Sequence, residues 1–191
     1  MAKHIDIDNQ QAVKYAVNIL EKGGVIVYPT DTLYGFGVDA TNSAAIEKIH
    51  KIKGRSGSMS VMAATINMAL GWVDFTKMQM ELIEPYLGGT QTIIVPVKSK
   101  TVSTKILGEG NSLGIRIPDN NFCNELSLHF GKPIVTTSVN HTGEQPMNDP
   151  VQIESEFGSE IDLLIDRGTL PKSKGSTIYK FIDNKIIVIR K

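Results

Sequence analysis

Arg116 is the residue of this 191-residue chain that most clearly could bind a ligand. It lies in a strand-like segment in which Leu113, Ile115 and Ile117 face one way while Gly114 and Arg116 face the other. Such an arginine is usually paired with an anion, because burying an unpaired guanidinium costs free energy. The planar guanidinium group matches the geometry of a carboxylate or a phosphate. A salt bridge with an Asp or Glu of this chain would serve equally, so the residues alone leave both possibilities open.

Two more cations, Lys53 and Arg55, lie in the segment KIKGRSGSMS, after a predicted helix and before a predicted strand. Cations beside glycines and serines suit a polyphosphate, with the lysine as a point charge and the arginine as a fork. The same pair would also fit a solvated helix end, where the helix dipole favours cations.

Residues 24–40, GVIVYPTDTLYGFGVDA, begin with an apolar strand-like run that Pro29 stops. The pattern then predicts a loop that contains Thr30, Asp31, Thr32, Gly35 and Gly37. Hydroxyls and bare backbone at a strand's end are typical of a binding site in an α/β protein, since glycine lets the backbone approach a ligand closely. The segment is neither a phosphate-binding P-loop nor a GxGxxG turn, and an ordinary tight turn remains the alternative.

Two further segments carry small hydroxyl side chains, TTSVN at residues 136–140 and GST at residues 175–177. Each could bind a ligand at a strand's end or merely cap a turn. The four histidines and the single Cys123 are scattered without zinc-like spacing, so we expect no metal held by the protein itself. Cys123 is expected to be a buried structural thiol.

The elements that position these residues mix helices and strands throughout the chain. Hydrophobic spacing predicts helices at residues 8–22, 43–52, 77–87, 120–130 and 151–157. It predicts strands at residues 24–28, 60–65, 92–97, 113–117, 134–137 and 162–166, and a closing hairpin at 177–182 and 185–190. Residues 99–111 and 167–175 are expected to be mobile loops. We therefore predict one α/β domain over residues 1–191, built on a mixed sheet.

Composition excludes several classes of protein. Lys and Arg number 20 and Asp and Glu number 20, so we expect no strong overall field for nucleic acid, although a local basic cleft stays possible. The apolar runs are too short to span a bilayer, and the first residues lack the apolar core of a signal peptide. A cytoplasmic protein is expected.

Taken in order, the motifs resemble the YrdC-like family, the threonylcarbamoyl-adenylate synthases of TsaC type. The matching stretches are YPTDTLYGFGVDA, KIKGR, GGTQTIIVP, SLGIRIPDN, GKPIVTTSVNHTGEQP and GSTIYKF, from about residue 24 to residue 181. The resemblance implies an open, twisted mixed sheet with flanking helices and a concave ligand cleft. It also implies the short form, without the extra C-terminal domain of longer relatives.

The resemblance further implies a reaction in which L-threonine, bicarbonate and ATP give threonylcarbamoyl-AMP and pyrophosphate, for tRNA threonylcarbamoyladenosine. ATP would then be a substrate, Mg²⁺ would arrive with the nucleotide, and a tRNA-modifying transferase complex would act downstream. By motif, Thr32, Arg116, Thr136 and Ser176 match L-threonine contacts. Lys53 and Arg55 match the phosphate-binding and catalytic pair, and Ser112, Ser138 and Asn140 match nucleotide contacts.

The chain departs from the family pattern after Arg55. Relatives usually read KxRPxxxPL, whereas here Arg55 is followed by SGSMSV and the loop is two residues shorter. This leaves open the ligand contacts that relatives make from the loop, including any from Ser58 or Met62.

Two other functions fit the same sequence less well. A relative that adenylates another carbamate would resemble domains of longer chains with zinc-finger-like cysteines, and this chain has one cysteine. A non-catalytic RNA-binding module would use the cleft electrostatically, with tRNA as the possible partner, which the neutral net charge argues against.

Overall fold

The computed structural model describes residues 2–191, which form an α/β fold around one ten-stranded mixed sheet. The strands are β1 (Lys3–Asp6), β2 (Ile26–Pro29), β3 (Tyr34–Gly37), β4 (Ser60–Met62), β5 (Gln91–Pro96), β6 (Ser112–Arg116), β7 (Ile134–Ser138), β8 (Leu163–Asp166), β9 (Thr177–Ile182) and β10 (Lys185–Arg190). The helices are α1 (Ala12–Glu21), α2 (Ser43–Lys53), α3 (Ile66–Trp72), α4 (Lys77–Ile83), α5 (Asn121–Phe130) and α6 (Pro150–Phe157), with short 3₁₀ turns between them.

The sheet is open, with the strand order β1-β8-β2-β3-β7-β4-β6-β5-β9-β10. Pairs β1–β8, β8–β2, β4–β6 and β5–β9 are parallel, and the others are antiparallel. The three central strands β7, β4 and β6 align Thr136 with Ser60 and Ser60 with Gly114. This register sets small polar residues from separate parts of the chain side by side.

One face of the sheet is covered along its length by helices α2, α3, α4 and α6. Its core contains alternate strand residues, among them Val61, Ile93, Ile115 and Val135. Side chains in a strand alternate between the two faces, so the residues between these must point to the opposite face.

The opposite face is covered over only part of its width. Helices α1 and α5 pack there on strands β1, β8 and β2, in a second core that includes Leu20, Tyr28 and Leu126. Met62 and Ile134 mark where this core meets the middle of the sheet. Beyond them no helix of residues 2–191 packs on this face, and the sheet forms the floor of a cleft.

Local sequence signals end helix α2 where the cleft begins. The Asn42 side chain accepts hydrogen bonds from the first amides of α2, and Gly54 ends it in a left-handed conformation, with φ of 66°. This termination leaves Lys53 in the last turn of the helix and Arg55 in the loop that follows.

The structure confirms most of the predicted elements, within a few residues of their predicted ends. The predicted loop of residues 30–37 is wrong in its second half, because Tyr34–Gly37 forms β3 between β2 and β7. Strand β1 and helix α3 were not predicted. No helix among residues 2–191 is both long and apolar enough to cross a membrane.

The two glycines of β3 serve different purposes. Gly37 is needed for packing, because a Cβ there would lie 2.7 Å from Tyr28 and 3.0 Å from Ile26. Gly35 faces the cleft, where a Cβ would meet Thr136 at 3.5 Å. The predicted role of glycine in admitting a ligand therefore suits Gly35, not Gly37.

We expect Gly37→Ala to lower the free energy of unfolding by roughly 1–3 kcal/mol, as overpacking of a rigid core does. Gly71→Ala is the matched control, since a Cβ at Gly71 meets nothing within 4 Å. Urea unfolding followed by circular dichroism measures both. Equal stability of Gly37→Ala and the wild type would contradict the packing role.

Candidate functional site

The uncovered part of the sheet and its surrounding loops enclose a cleft of about 650 Å³. All nine residues predicted from sequence line it: Thr32, Lys53, Arg55, Ser112, Arg116, Thr136, Ser138, Asn140 and Ser176. They come from strands β6 and β7, from the segments before β3, after β7 and before β9, and from the end of helix α2 and the loop after it. The structure thus brings together residues up to 144 positions apart in the chain, from Thr32 to Ser176.

Arg116 is buried at one end of this cleft and is paired within the protein. Its Nη2 lies 2.5 Å from Oδ1 of Asp31, and both side chains are less than a tenth exposed. Oδ2 of Asp31 accepts a hydrogen bond of 3.1 Å from the backbone amide of Asp119. The salt bridge that the sequence left open therefore exists, and Asp31 fixes the guanidinium from behind the cleft.

The ion pair with Asp31 does not satisfy the Arg116 guanidinium. Nη1 makes only a long contact of 3.4 Å with Oγ1 of Thr32, and the buried Nε has no acceptor among residues 2–191. An unmade hydrogen bond from a buried charged group is costly. The guanidinium can therefore bind an anion in addition to Asp31, so the two possibilities raised by the sequence are compatible.

The hydroxyl of Thr30 is fully used within the turn. Thr30 Oγ1 lies 2.8 Å from the carbonyl oxygen of Leu33, which can only accept, so Thr30 is the donor there. The same oxygen accepts from the backbone amides of Thr32 and Leu33, which occupies both of its lone pairs. The Thr32 hydroxyl, 3.2 Å from that of Thr30, has lone pairs that can accept hydrogen bonds from Arg116 or from a ligand.

Lys53 is almost fully buried, and its ammonium donates three hydrogen bonds. The acceptors are the carbonyl oxygen of Ser138 at 2.7 Å, that of Asn140 at 3.0 Å and Oδ1 of Asn140 at 3.1 Å. No carboxylate of residues 2–191 lies within 4.0 Å of it. Burial, followed by repulsion from Arg55, lowers the pKa of Lys53 to about 8. The predicted phosphate-binding lysine therefore also ties helix α2 to the end of β7.

The shortened loop after Arg55 still reaches the cleft. Ser58 lines it, whereas Met62 is fully buried and accepts a hydrogen bond from the Tyr28 hydroxyl at 3.5 Å. Of these two residues, only Ser58 can contact a ligand in this arrangement. Arg55 lies in the loop at the cleft wall, and its side chain is exposed.

Three more of the predicted residues, Ser138, Asn140 and Ser176, are held by hydrogen bonds within the protein. Ser138 donates to Oδ1 of Asn140 at 2.5 Å, and Nδ2 of Asn140 donates to the carbonyl oxygens of His141 and Glu144. The hydroxyls of Ser176 and Thr92 lie 2.7 Å apart. The walls of the cleft are thus preorganised, which lowers the entropy lost on binding.

The cleft is strongly basic although the protein is neutral. Its lining contains the cations Lys53, Arg55, Arg116, Lys174, Lys180 and Arg190 and one carboxylate, Glu109, a formal charge of +5 from six minus one, or +4 when Asp31, the ion-pair partner of Arg116, is included. The predicted possibility of a local basic cleft is confirmed. Among residues 2–191, no cluster of three or more His, Cys, Asp or Glu side chains could hold a metal ion.

Sequence reasoning missed the contribution of the C-terminal hairpin. Lys180 faces the cleft, and Nη2 of Arg190 donates to the carbonyl oxygen of Ser176 at 2.8 Å. The strand register shifts between Val188 and Arg190, an irregularity that re-aims side chains in the way β-bulges do. Only the two-residue spacing of Ser176, Ile178 and Lys180 could have indicated this.

Cys123 is a buried thiol, as predicted. Its Sγ lies 3.4 Å from the carbonyl oxygen of Pro29, and burial raises its pKa. A thiol held in the protonated form is a poor nucleophile, so the chemistry of this site does not involve it.

The low pKa of Lys53 makes anion binding depend on pH. Above pH 8 the free protein loses this charge, and a bound phosphate restores it, so ATP should bind more weakly as pH rises through 8. At pH 8.5 we expect uptake of up to about one proton per ATP bound. Calorimetry in two buffers of different ionisation enthalpy measures it. Uptake should vanish in Lys53→Met and persist in the control Lys105→Met, and undiminished uptake in Lys53→Met would contradict the assignment.

Comparison with known proteins agrees with this geometry. A protein of Methanocaldococcus jannaschii that bears the provisional name threonylcarbamoyl-AMP synthase is 33% identical over 188 residues, 95% of this chain and 88% of that protein. A threonylcarbamoyl-AMP synthase of Photobacterium profundum is 30% identical over 168 residues, 85% of this chain and 89% of that protein.

Solved structures show the same fold. Escherichia coli YciO matches with a TM-score of 0.86 and 27% identity over 100% of this chain and 96% of that one. P. abyssi Sua5, solved in complex with L-threonine, matches with a TM-score of 0.87 and 20% identity, and this chain covers 57% of it. The model of the Sua5/YciO/YrdC family, described as "Telomere recombination", matches residues 18–191. The chain therefore belongs to the Sua5/YciO/YrdC family, and the predicted YrdC-like resemblance is confirmed.

Proposed function

We propose that this protein is an L-threonylcarbamoyladenylate synthase, a nucleotidyltransferase that forms threonylcarbamoyl-AMP and pyrophosphate from L-threonine, bicarbonate and ATP. The observation that carries the proposal is that one cleft joins an incompletely bonded guanidinium, Arg116, to a basic wall with Lys53 and Arg55. The two relatives described above carry the name of this activity.

We place the amino acid at the Arg116 end of the cleft. A carboxylate would supply the acceptor that the guanidinium lacks. Thr32, with its lone pairs free, would accept from the amine or from the side-chain hydroxyl of threonine. Thr136 and Ser176 lie on the neighbouring floor and complete the predicted threonine contacts.

We place the nucleotide along the opposite wall. Lys53 and Arg55 would neutralise its phosphates, and Ser112, Ser138 and Asn140 would contact the rest of the molecule. Because Lys53 already donates to Ser138 and Asn140, it would also fix the loop that carries these two residues. ATP and bicarbonate together carry about five negative charges, which a basic cleft in a neutral protein favours.

The chemistry requires no protein nucleophile. The amine of threonine and bicarbonate give a carbamate, whose oxygen attacks the α-phosphorus of ATP and expels pyrophosphate. Positioning and charge neutralisation carry most of the barrier reduction in such transfers, and the cleft supplies hydroxyls, amides and cations for both.

We propose that Mg²⁺ arrives with the nucleotide. Glu109 is the one carboxylate in the cleft lining, and Mg²⁺ in nucleotide sites usually keeps phosphate and water ligands. The product is a reactive mixed anhydride, so a tRNA-modifying transferase complex would have to consume it next.

The direct test is incubation with ATP, Mg²⁺, bicarbonate and each amino acid in turn, with pyrophosphate release as the readout. We expect release only when threonine and bicarbonate are both present. Release with another amino acid would indicate a relative that adenylates a different carbamate. No release from the folded protein, together with salt-sensitive RNA binding, would indicate the binding module instead.

Arg116→Ala should abolish L-threonine binding while it leaves most of the affinity for ATP, because the guanidinium lies at the amino-acid end. Titration calorimetry with each ligand measures the two affinities, and thermal unfolding checks that the variant is folded. Lys98→Ala, which removes a cation outside the cleft, is the matched control. Unchanged threonine affinity in Arg116→Ala would refute the assignment.

A further inference from the structure

The cleft floor contains a row of five residues, here called the central row, of which only Thr136 is among the predicted contacts. In register across four strand pairs, it runs from β7 through β4, β6 and β5 to β9 and consists of Thr136, Ser60, Gly114, Ile94 and Lys180. All five line the cleft. The row therefore crosses the cleft at its middle.

The central row lies between the two groups of predicted residues. Arg116 pairs with Met62, two residues beyond Ser60, and marks the amino-acid side. Ser112 lies two residues before Gly114 on the same strand and marks the nucleotide side. At about 3.3 Å per residue, each marker lies roughly 7 Å along the sheet from the central row. A group that joins an amino acid to a nucleotide has to lie above this row.

Ser60 has a hydroxyl available at this point. The hydroxyls of Ser138 and Ser176 are bonded within the protein, whereas that of Ser60 has no hydrogen-bond partner in residues 2–191. The side chain is half-buried and leans over Gly114, since a Cβ on Gly114 would lie 2.4 Å from its Oγ. Glycine at position 114 thus makes room for the Ser60 hydroxyl.

The middle of the central row is small and polar enough for a small oxyanion. Ser60 and Thr136 lie opposite each other on paired strands. Lys180 lies three strands from Ser60, roughly 14 Å away, so it adds to the positive charge of the cleft and makes no contact at Ser60. Hydroxyl donors backed by a positive charge satisfy the oxygens of a planar anion. Gly114 has no side chain, so the Ser60 hydroxyl can lie over it at the floor of the cleft.

We propose that the space above Ser60, in the middle of the central row, is the bicarbonate subsite, in which Ser60 Oγ donates a hydrogen bond to an oxygen of bicarbonate and then of the carbamate. This assignment rests on the proposed function and adds a residue to it. In the first step the neutral amine of threonine forms the N–C bond, and the C–OH bond of bicarbonate breaks. The hydroxide takes one amine proton and leaves as water.

In the second step a carbamate oxygen forms a bond to the α-phosphorus. The bond from that phosphorus to the bridging oxygen breaks, and the electron pair leaves on pyrophosphate. Ser60 keeps its own proton throughout and holds the carbamate between the two reactants.

The test compares Ser60→Ala with Ser60→Thr, which keeps the hydroxyl on a residue suited to a strand. In Ser60→Ala we expect the KM for bicarbonate to rise about tenfold, the usual loss of a hydrogen bond to a charged group, with less than a twofold change in the KM for threonine and ATP. Ser60→Thr should restore the bicarbonate KM to within about threefold of the wild type. Ser155→Ala, an exposed serine of α6 outside the cleft, is the control.

The outcomes separate this proposal from the proposed function. An unchanged bicarbonate KM in Ser60→Ala, or an equal rise in all three KM values, would overturn the subsite while the function stands. Absence of pyrophosphate release from the wild type would overturn the function and the subsite together. Thermal unfolding of each variant reports any loss of fold, and in that case the Ser60→Thr result alone decides.

Discussion

The uneven covering of the sheet is the constraint on which the rest of this structure depends. One face is packed by four helices along its length, while the other carries α1 and α5 over only part of its width. Strand residues alternate between faces, so the same strands must supply large apolar side chains to one side and small polar ones to the other. Strand β6 shows this most clearly, with Leu113 and Ile115 in the core and Ser112, Gly114 and Arg116 in the cleft.

This alternation is also why so much of the site could be predicted from sequence. A period of two is a local signal, and it correctly placed Arg116 opposite Leu113 and Ile115. Which side chains contact one another across the sheet depends instead on which strands become neighbours. Nothing near Asp31 in the sequence indicates that it pairs with Arg116, 85 positions away, and strand β3 was missed because its glycines are typical of a loop. The hairpin cations were missed for the same reason, since their approach to the cleft depends on sheet order.

Lys53 shows how one residue can serve both the fold and the site. Its three hydrogen bonds go to neutral oxygens, so they hold the Ser138–Asn140 segment without neutralising the ammonium. The charged ammonium stays buried, and the lowered pKa of Lys53, about 8, reflects the free-energy cost of that burial. An anion in the cleft would relieve it, so the proposed ligand binding would be coupled to the order of the β7 end through a single side chain.

The bonded hydroxyl of Thr30 has a consequence for the loop that carries Asp31 and Thr32. It donates to the carbonyl oxygen of Leu33 and accepts from the amides of Thr32 and Leu33, so one side chain satisfies three backbone groups of the turn. The turn is therefore closed by its own side chain and not by whatever fills the cleft. Asp31 and Thr32 keep their places beside Arg116 when the cleft is empty.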